Sequence, residues 1–249
     1  MPTSAWRAAW STRSSRGGAG RGRRQAVFLI QGRAGGRTAG RLKAMGESPL
    51  NAGMRYAIIV AVDEAGVIGV DGKIPWSVPA DLRLFYDITT WPSDRTGRNA
   101  VIMGRHTWEG LARKPLRRRL NVVVASQAVE GGEGGRMPRV VGGLREGLDI
   151  VRREGCGRVF VIGGQALYEE AIDDPACTAA YVTRISGVHD APGARRFPIA
   201  RLEEAFEKVG PEAAGLSVPT PLEGEGYRLE VWRRRRARSS PGRANKNGN

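Results

Sequence analysis

The sequence predicts one α/β domain: a central, mixed but mostly parallel β-sheet flanked by helices and closed by a C-terminal antiparallel hairpin. Three observations carry that expectation. Short β-rich apolar runs recur along the middle of the chain, as strands buried on both faces require. Helix-like segments separate them, which is the alternation of parallel connections. Near the end, "EEAFEKVG" and "GYRLEVW" flank a Pro/Gly-rich stretch at residues 210–226, the pattern of a hairpin with a long loop.

The expected strands are Tyr56–Val62, Ala100–Gly104, Asn121–Ser126, Arg158–Gly164 and Ala179–Ile185. Helices are expected from Pro79, over Thr107–Leu111, after Gly143, and over Gln165–Ile172. The 249 residues are enough for one good-sized core with residues to spare.

The net charge of +15 is unevenly placed. Residues 1–53 hold ten Lys/Arg and one acid, Glu47, and residues 233–249 hold seven Lys/Arg and no acid. The stretch between is near neutral, so the division is an Arg/Gly-rich disordered extension (1–53), a globular domain (54–232) and a disordered basic tail (233–249). The extension is Arg-rich, acid-poor and has serines near its front, as organelle transit peptides do. An upstream extension without a role, with Met45 or Met54 as the start, is the alternative. Arg blocks also attract phosphate without sequence preference, which leaves nucleic-acid binding open for the tails alone. No apolar run reaches about 18 residues, so no membrane-spanning helix is expected. The location expected is the cytoplasm, or a mitochondrion or plastid if the extension is a transit peptide, but not outside the cell. Two cysteines and two histidines give neither a disulfide framework nor a metal site.

Three stretches carry chemistry. In "DGKIPWSVPADL" (Asp71–Leu82) an irregular loop delivers one acid, Asp81, to a helix start. Such an acid can serve as a cap. Trp76, Leu82, Leu84 and Phe85 would instead wall it in apolar surface, where a carboxylate needs a partner with paired N–H donors. In "VIMGRHTW" (Val101–Trp108) a strand ends at Gly104 and a helix follows, so free N–H groups with Arg105 and His106 suit a phosphate. In "FVIGGQALYEEAI" (Phe160–Ile172) Gly163 and Gly164 again join a strand to a helix. A surface turn is the simpler reading of each stretch taken alone. Two phosphate turns and one sheltered acid together point to hydride transfer from NADPH to a nitrogen heterocycle.

The ordered motifs "VIG…IPW…PADL", "VIMGRHTWE", "PLRRRLNVVVAS", "VIGGQALYEEA" and "YVTRI" resemble those of dihydrofolate reductase, over roughly Arg55 to Trp232. The resemblance implies that Asp81 binds the pterin's 2-amino group and N3–H. Trp76 would hold a water near it, and Thr183 would support its carboxylate. Ile59, Ala61, Leu82, Phe85, Leu111, Leu116 and Ile162 would line the folate cleft, with the carbonyls of Ile59 and Ile162 facing the exocyclic amine. Arg119 would grip the α-carboxylate of the glutamate tail. Arg117 and Arg118 replace a Pro-Gly of many bacterial members, and extra positive charge there would favour polyglutamylated folates.

For NADPH the resemblance implies Gly104, Arg105, His106, Thr107 and Ser126 on the adenosine side. Gly163 and Gly164 would be joined by a cis peptide, ahead of Gln165, Ala166, Leu167 and Tyr168. Ala61 and Ile68-Gly69 would meet the nicotinamide, with Ile68–Ile74 forming a mobile loop hinged at Gly66, Gly69 and Gly72. The partners implied are dihydrofolate and folate analogues, with no membrane, for a monomeric reductase not fused to thymidylate synthase. A pyrimidine reductase of riboflavin synthesis is the same-fold alternative, and a nucleic-acid-binding protein acting through its Arg tails is the alternative of another class.

Overall fold

The apolar runs fold into parallel strands that hydrogen-bond side by side. They are β1 (Tyr56–Val62), β3 (Asn99–Gly104), β4 (Arg119–Val124), β5 (Arg139–Val141), β6 (Val159–Val161) and β7 (Cys177–Ile185). The computed structural model describes residues 54–91, 97–216 and 218–236, so the expected extension 1–53 lies outside the described residues. The strands run in the order β5-β4-β3-β6-β1-β7, all parallel. β11 (Tyr227–Arg234) adds antiparallel to β7, and β9 (Phe206–Val209) and β10 (Glu223–Gly224) pair antiparallel with β11. The expected hairpin is therefore present.

Strand alternation divides the core into two layers. Ile58, Val60 and Val62 face α3 (Leu144–Arg153) and α4 (Gln165–Asp173), whose Leu148, Val151, Ala171 and Ile172 are buried against them. Ala57 and Ile59 face the other way, onto Leu84 and Ile88 of α1 (Pro79–Thr90) and Trp108 of α2 (Arg105–Gly110). Thus α2, which follows β3, and α4, which follows β6, lie on opposite faces although β3 and β6 are neighbours. A crevice opens at the carboxyl ends of such a strand pair, where open α/β sheets bind ligands.

Several boundaries differ from expectation. β6 stops at Val161, because Gly163 and Gly164 leave the sheet for a turn. β4 starts at Arg119, since Arg119 and Leu120 pair with Asn99 and Ala100. The first three residues of the "EEAFEKVG" run are helical: α5 (Ile199–Ala205) absorbs them and β9 begins at Phe206. β11 continues two residues into the stretch expected as tail. Arg233 pairs with Glu207 at 2.7 Å, and Arg234 donates to the carbonyls of Cys177 and Ile172, both at 2.6 Å.

A second, small sheet lies in the stretch expected to be a mobile loop. β2 (Val67–Val70) pairs antiparallel with β8 (Ala194–Arg196). Gly66 and Gly72 bracket β2 with φ of +78° and +75°, so its turns need glycine, whereas Gly69 within it does not adopt positive φ. Among the described residues no helix is long and apolar enough to cross a membrane. Cys156 and Cys177 are both buried and free.

Candidate active site

The loop from Asp71 delivers Asp81 to the first turn of α1, but not as its cap. The N-cap is Val78, in an extended conformation and without a side-chain hydrogen bond. Pro79 opens the helix, where a missing N–H costs nothing. Asp81 therefore turns its carboxylate inward and is only 8 % exposed. Burial pushes its pKa up to about 6, and the side-chain hydrogen bond with Thr183 opposes that rise. Thr183 itself is buried on β7, held between Ala61 of β1 and Leu229 of β11.

The surroundings of this carboxylate are apolar. Ile59 and Ile162 are buried in the α1-side layer, and Ala61, Trp76, Phe85, Leu111 and Leu116 are half-buried against it. Leu82 follows Asp81, half-buried. The Ile59 carbonyl accepts a 3.0 Å hydrogen bond from the Tyr168 hydroxyl.

Arg119 is the second buried charge on this layer, only 5 % exposed. Its guanidinium donates to Thr89 Oγ1 at 2.6 Å and to the Arg117 carbonyl at 3.1 Å, and it lies 5.7 and 5.4 Å from the ring centroids of Phe85 and Tyr86. Burial pulls its pKa down to about 10, so it remains charged at neutral pH. No carboxylate pairs with it among the described residues. Asp81, Phe85 and Thr89 fall at i, i+4 and i+8 on α1, one face of the helix. At 1.5 Å per residue, Asp81 and Thr89 stand about 12 Å apart along the axis. One stripe thus carries an anion at one end and an anchored cation at the other.

The two strand-to-helix turns come together. Gly104 N donates to Gly163 O at 2.7 Å, and Ile162 N donates to Ile102 O at 2.9 Å. The Gly163–Gly164 peptide is cis. Gly163 has φ of +119°, and a Cβ built on it would lie 3.1 Å from Thr107 Oγ1 and 3.3 Å from Tyr168 Oη. The backbone of Gly163 and Gly164 thus lies close against Thr107 in the first turn of α2, with no room for a side chain on Gly163. Gln165 and Ala166 open α4, Leu167 and Tyr168 are buried behind them, and Gln165 Nε2 donates to Glu169 at 3.0 Å. Arg105 and His106 are exposed and share Glu109, at 3.8 and 3.3 Å. Ser126 is exposed just beyond β4. Ile68 and Gly69 lie within β2.

Four supporting residues escaped sequence reasoning. Thr89 anchors Arg119, and its only signal is its place eight residues after Asp81. Asn121 exchanges hydrogen bonds with the backbone of Leu116, at 2.8 and 2.9 Å, and so fixes the loop carrying the cleft leucines. Asp63 accepts backbone N–H groups from Ala65, Val67 and His189. Burial alone would raise its pKa, but those bonds bring it below the ordinary carboxylate value. His189 packs its ring 5.4 Å from that of Trp76. Asp63 and His189 together tie the segment before β2 to the one before β8.

Comparison with known proteins agrees with this geometry. The family model described as dihydrofolate reductase matches residues 55–215. The dihydrofolate reductase of Drosophila melanogaster is 32 % identical over 166 residues, covering 64 % of this chain and 87 % of that one. A bifunctional dihydrofolate reductase-thymidylate synthase of Daucus carota is 38 % identical over 136 residues, covering 52 % of this chain. This chain spans only 26 % of that relative. Among solved structures, Schistosoma mansoni dihydrofolate reductase superposes with a TM-score of 0.60 at 30 % identity, covering 73 % of this chain and 99 % of that one. An Enterococcus faecalis dihydrofolate reductase complexed with NADP(H) and RAB-propyl gives 0.53 at 28 % identity, covering 72 % and 96 %. From its fold, its paired glycine turns and these matches, the chain belongs to the dihydrofolate reductase family.

Proposed function

We propose that this chain reduces 7,8-dihydrofolate to 5,6,7,8-tetrahydrofolate with NADPH. The observation that carries the proposal is Asp81: one carboxylate, buried in apolar surface, with Thr183 as its hydrogen-bonding side chain. A buried carboxylate of that kind is costly until it gains paired donors. The 2-amino group and N3–H of a pterin present two parallel N–H groups that match its two oxygens. Arg119, anchored by Thr89 at the far end of the stripe, takes the α-carboxylate of the glutamate. The Asp81 carboxylate and the guanidinium that Thr89 anchors hold a long substrate at both ends, Asp81 and Thr89 being about 12 Å apart along the helix axis.

The residues fit NADPH. The side-chain-free backbone of Gly163-Gly164, packed against Thr107, would take a pyrophosphate at the start of the following helix, and Arg105 with His106 would face a ribose phosphate. When bound, the cofactor supplies a hydride to pterin C6. N5 must gain one proton from solvent in the same reaction. Asp81 grips the far side of the ring, so it orients the pterin and favours its protonated form rather than reaching N5. Trp76 shelters the water beside it, and β2 with the loop to Ile74 excludes bulk solvent.

The test uses NADPH carrying deuterium at its transferable position. The expected product is tetrahydrofolate with deuterium at C6. Cofactor oxidation without label in the pterin would overturn the assignment.

A further inference from the structure

Trp76 stands in the wall around Asp81, yet it lies in the irregular stretch between β2 and α1, outside any strand or helix. Among the described residues one aromatic ring packs against its indole, that of His189, 5.4 Å away and tilted by 58°. That separation and tilt are favourable for two rings. β2 and β8 pair antiparallel with Val70 beside Ala194, so the chain leading to Trp76 and the chain leading from His189 meet the small sheet at the same end. A Cβ built on Gly193 would lie 2.7 Å from Asp71 Oδ1, so the two segments run in close contact.

His189 is itself held by the end of β1. Asp63 is fully buried directly after that strand. Its Oδ1 accepts from the N–H groups of Ala65 and Val67, at 2.9 and 2.8 Å, and its Oδ2 accepts from the His189 N–H at 2.6 Å. The imidazole Nδ1 is buried and lies 3.4 Å from the same Oδ2. A ring nitrogen that faces a carboxylate keeps its proton, so Nε2 is the position that gains or loses one. Glu64 clamps the preceding turn: its N–H donates to the Gly187 carbonyl and its carboxylate accepts from the Gly187 N–H, both at 3.1 Å. The other charged groups of these segments are engaged elsewhere. Asp190 pairs with Arg196 at 2.6 Å, and Arg184 of β7 pairs with Glu230 at 3.1 Å. Among the described residues only Asp63 is close enough to pair with the imidazole.

We propose that His189 is a positioning residue for the reduction: Asp63 orients its imidazole, and that ring holds the Trp76 indole in the wall that keeps the Asp81 carboxylate dry. This inference rests on the folate reading above. Its consequence is electrostatic. Burial, not a neighbouring charge, raises the pKa of Asp81. A loosened indole admits water, and a better solvated carboxylate titrates nearer its ordinary value. A role for His189 in folding alone would lower stability and leave that titration where it is.

The test uses the full chain with two measurements on wild type, His189→Ala and His189→Phe. The first labels the protein with 5-fluorotryptophan and assigns the Trp76 fluorine resonance by its loss in Trp76→Phe. The shift of that resonance between light and heavy water reports how far solvent reaches the indole. It should grow in His189→Ala and grow less in His189→Phe, which keeps a ring against Trp76 but cannot donate to Asp63. The second follows hydride transfer in single turnovers against pH. In His189→Ala the rate should match wild type at the acid plateau and be about tenfold lower near pH 8, as a one-unit fall in the apparent pKa requires. His189→Phe should fall between the two. Val188→Ala, a neighbouring substitution at an exposed position, should match wild type in both measurements. Unchanged exposure of Trp76 in both His189 variants overturns the proposal. So does a rate lowered by the same factor at every pH. If His189→Ala does not fold, His189→Phe carries both comparisons. If wild type does not reduce dihydrofolate, the folate reading fails and the fluorine shift decides the hold on Trp76 by itself: greater exposure in the variants supports it, and equal exposure overturns it.

Discussion

Arg119 donates a 2.6 Å hydrogen bond to Thr89 Oγ1, and Thr89 stands eight residues after Asp81 on the same helix. The distance between the two substrate anchors is therefore built into α1. Thr89→Val removes the acceptor and frees the guanidinium. Hydrogen bonds to charged groups are worth about 1.5–3 kcal/mol, so KM for dihydrofolate should rise about tenfold or more while kcat changes little. Steady-state kinetics on the variant checks the split. A fall in kcat at constant KM would contradict the anchoring role.

Asp81 trades stability for function. Its folded pKa of about 6 lies above the ordinary value of 3.8. A group raised in the folded state contributes its stability below the unfolded value and loses it as pH rises through about 6. At neutral pH the loss is on the order of 2–3 kcal/mol. Asp81→Asn should therefore melt higher than wild type at pH 7, with the gap closing towards pH 4. Thermal denaturation at the two pH values tests it, and a gap that widens on acidification would reverse the sign.

The rate should carry the same proton. The reaction takes one proton from solvent, and the carboxylate that favours protonated pterin titrates near pH 6 in the free protein. Hydride transfer, followed in single turnovers, should fall about tenfold per pH unit once pH exceeds the apparent pKa of the complex. Asp81→Asn should lose that dependence on its own carboxyl. A flat profile in wild type would separate Asp81 from the proton.

Gly163 admits no side chain. Its φ is +119°, and a Cβ would crowd Thr107 Oγ1 and the Tyr168 hydroxyl. Gly163→Ala should weaken NADPH binding about tenfold or more and destabilise the fold by about 1–3 kcal/mol. Fluorescence titration with NADPH and denaturant unfolding measure the two effects. Arg105 is exposed and paired only loosely with Glu109, so Arg105→Ala should cost little stability. It should raise KM for NADPH about tenfold and leave KM for NADH unchanged, because only the former carries the additional phosphate.

Much of the fold was legible because its strands are buried on both faces. The expected Tyr56–Val62 coincides with β1, and five apolar runs mark five of the six parallel strands. β5, β8 and β10 lie outside that signal: they are short, partly or fully exposed, and formed by pairing rather than by an apolar run. β2 was hidden for another reason. Its Val-Ile-Gly-Val could be a strand or part of a glycine-hinged loop until β8 supplies the partner. The site divides in the same way. Asp81, Gly104 and Gly163-Gly164 stand where local sequence changes from strand or loop to helix, so spacing finds them. Thr89, Asn121 and His189 act on residues 30, 5 and 126 positions away or pack against a distant ring, and no local pattern encodes such partners.

The most direct measurement follows NADPH oxidation after dihydrofolate is added to the purified chain and, in parallel, to Asp81→Asn. Turnover in wild type that falls at least about a hundredfold in the variant, while NADPH still binds both proteins, is the expected result. Equal turnover in the two proteins would contradict the assignment of Asp81 as the residue that holds the pterin. Binding of NADPH with no turnover in wild type would contradict dihydrofolate as the substrate.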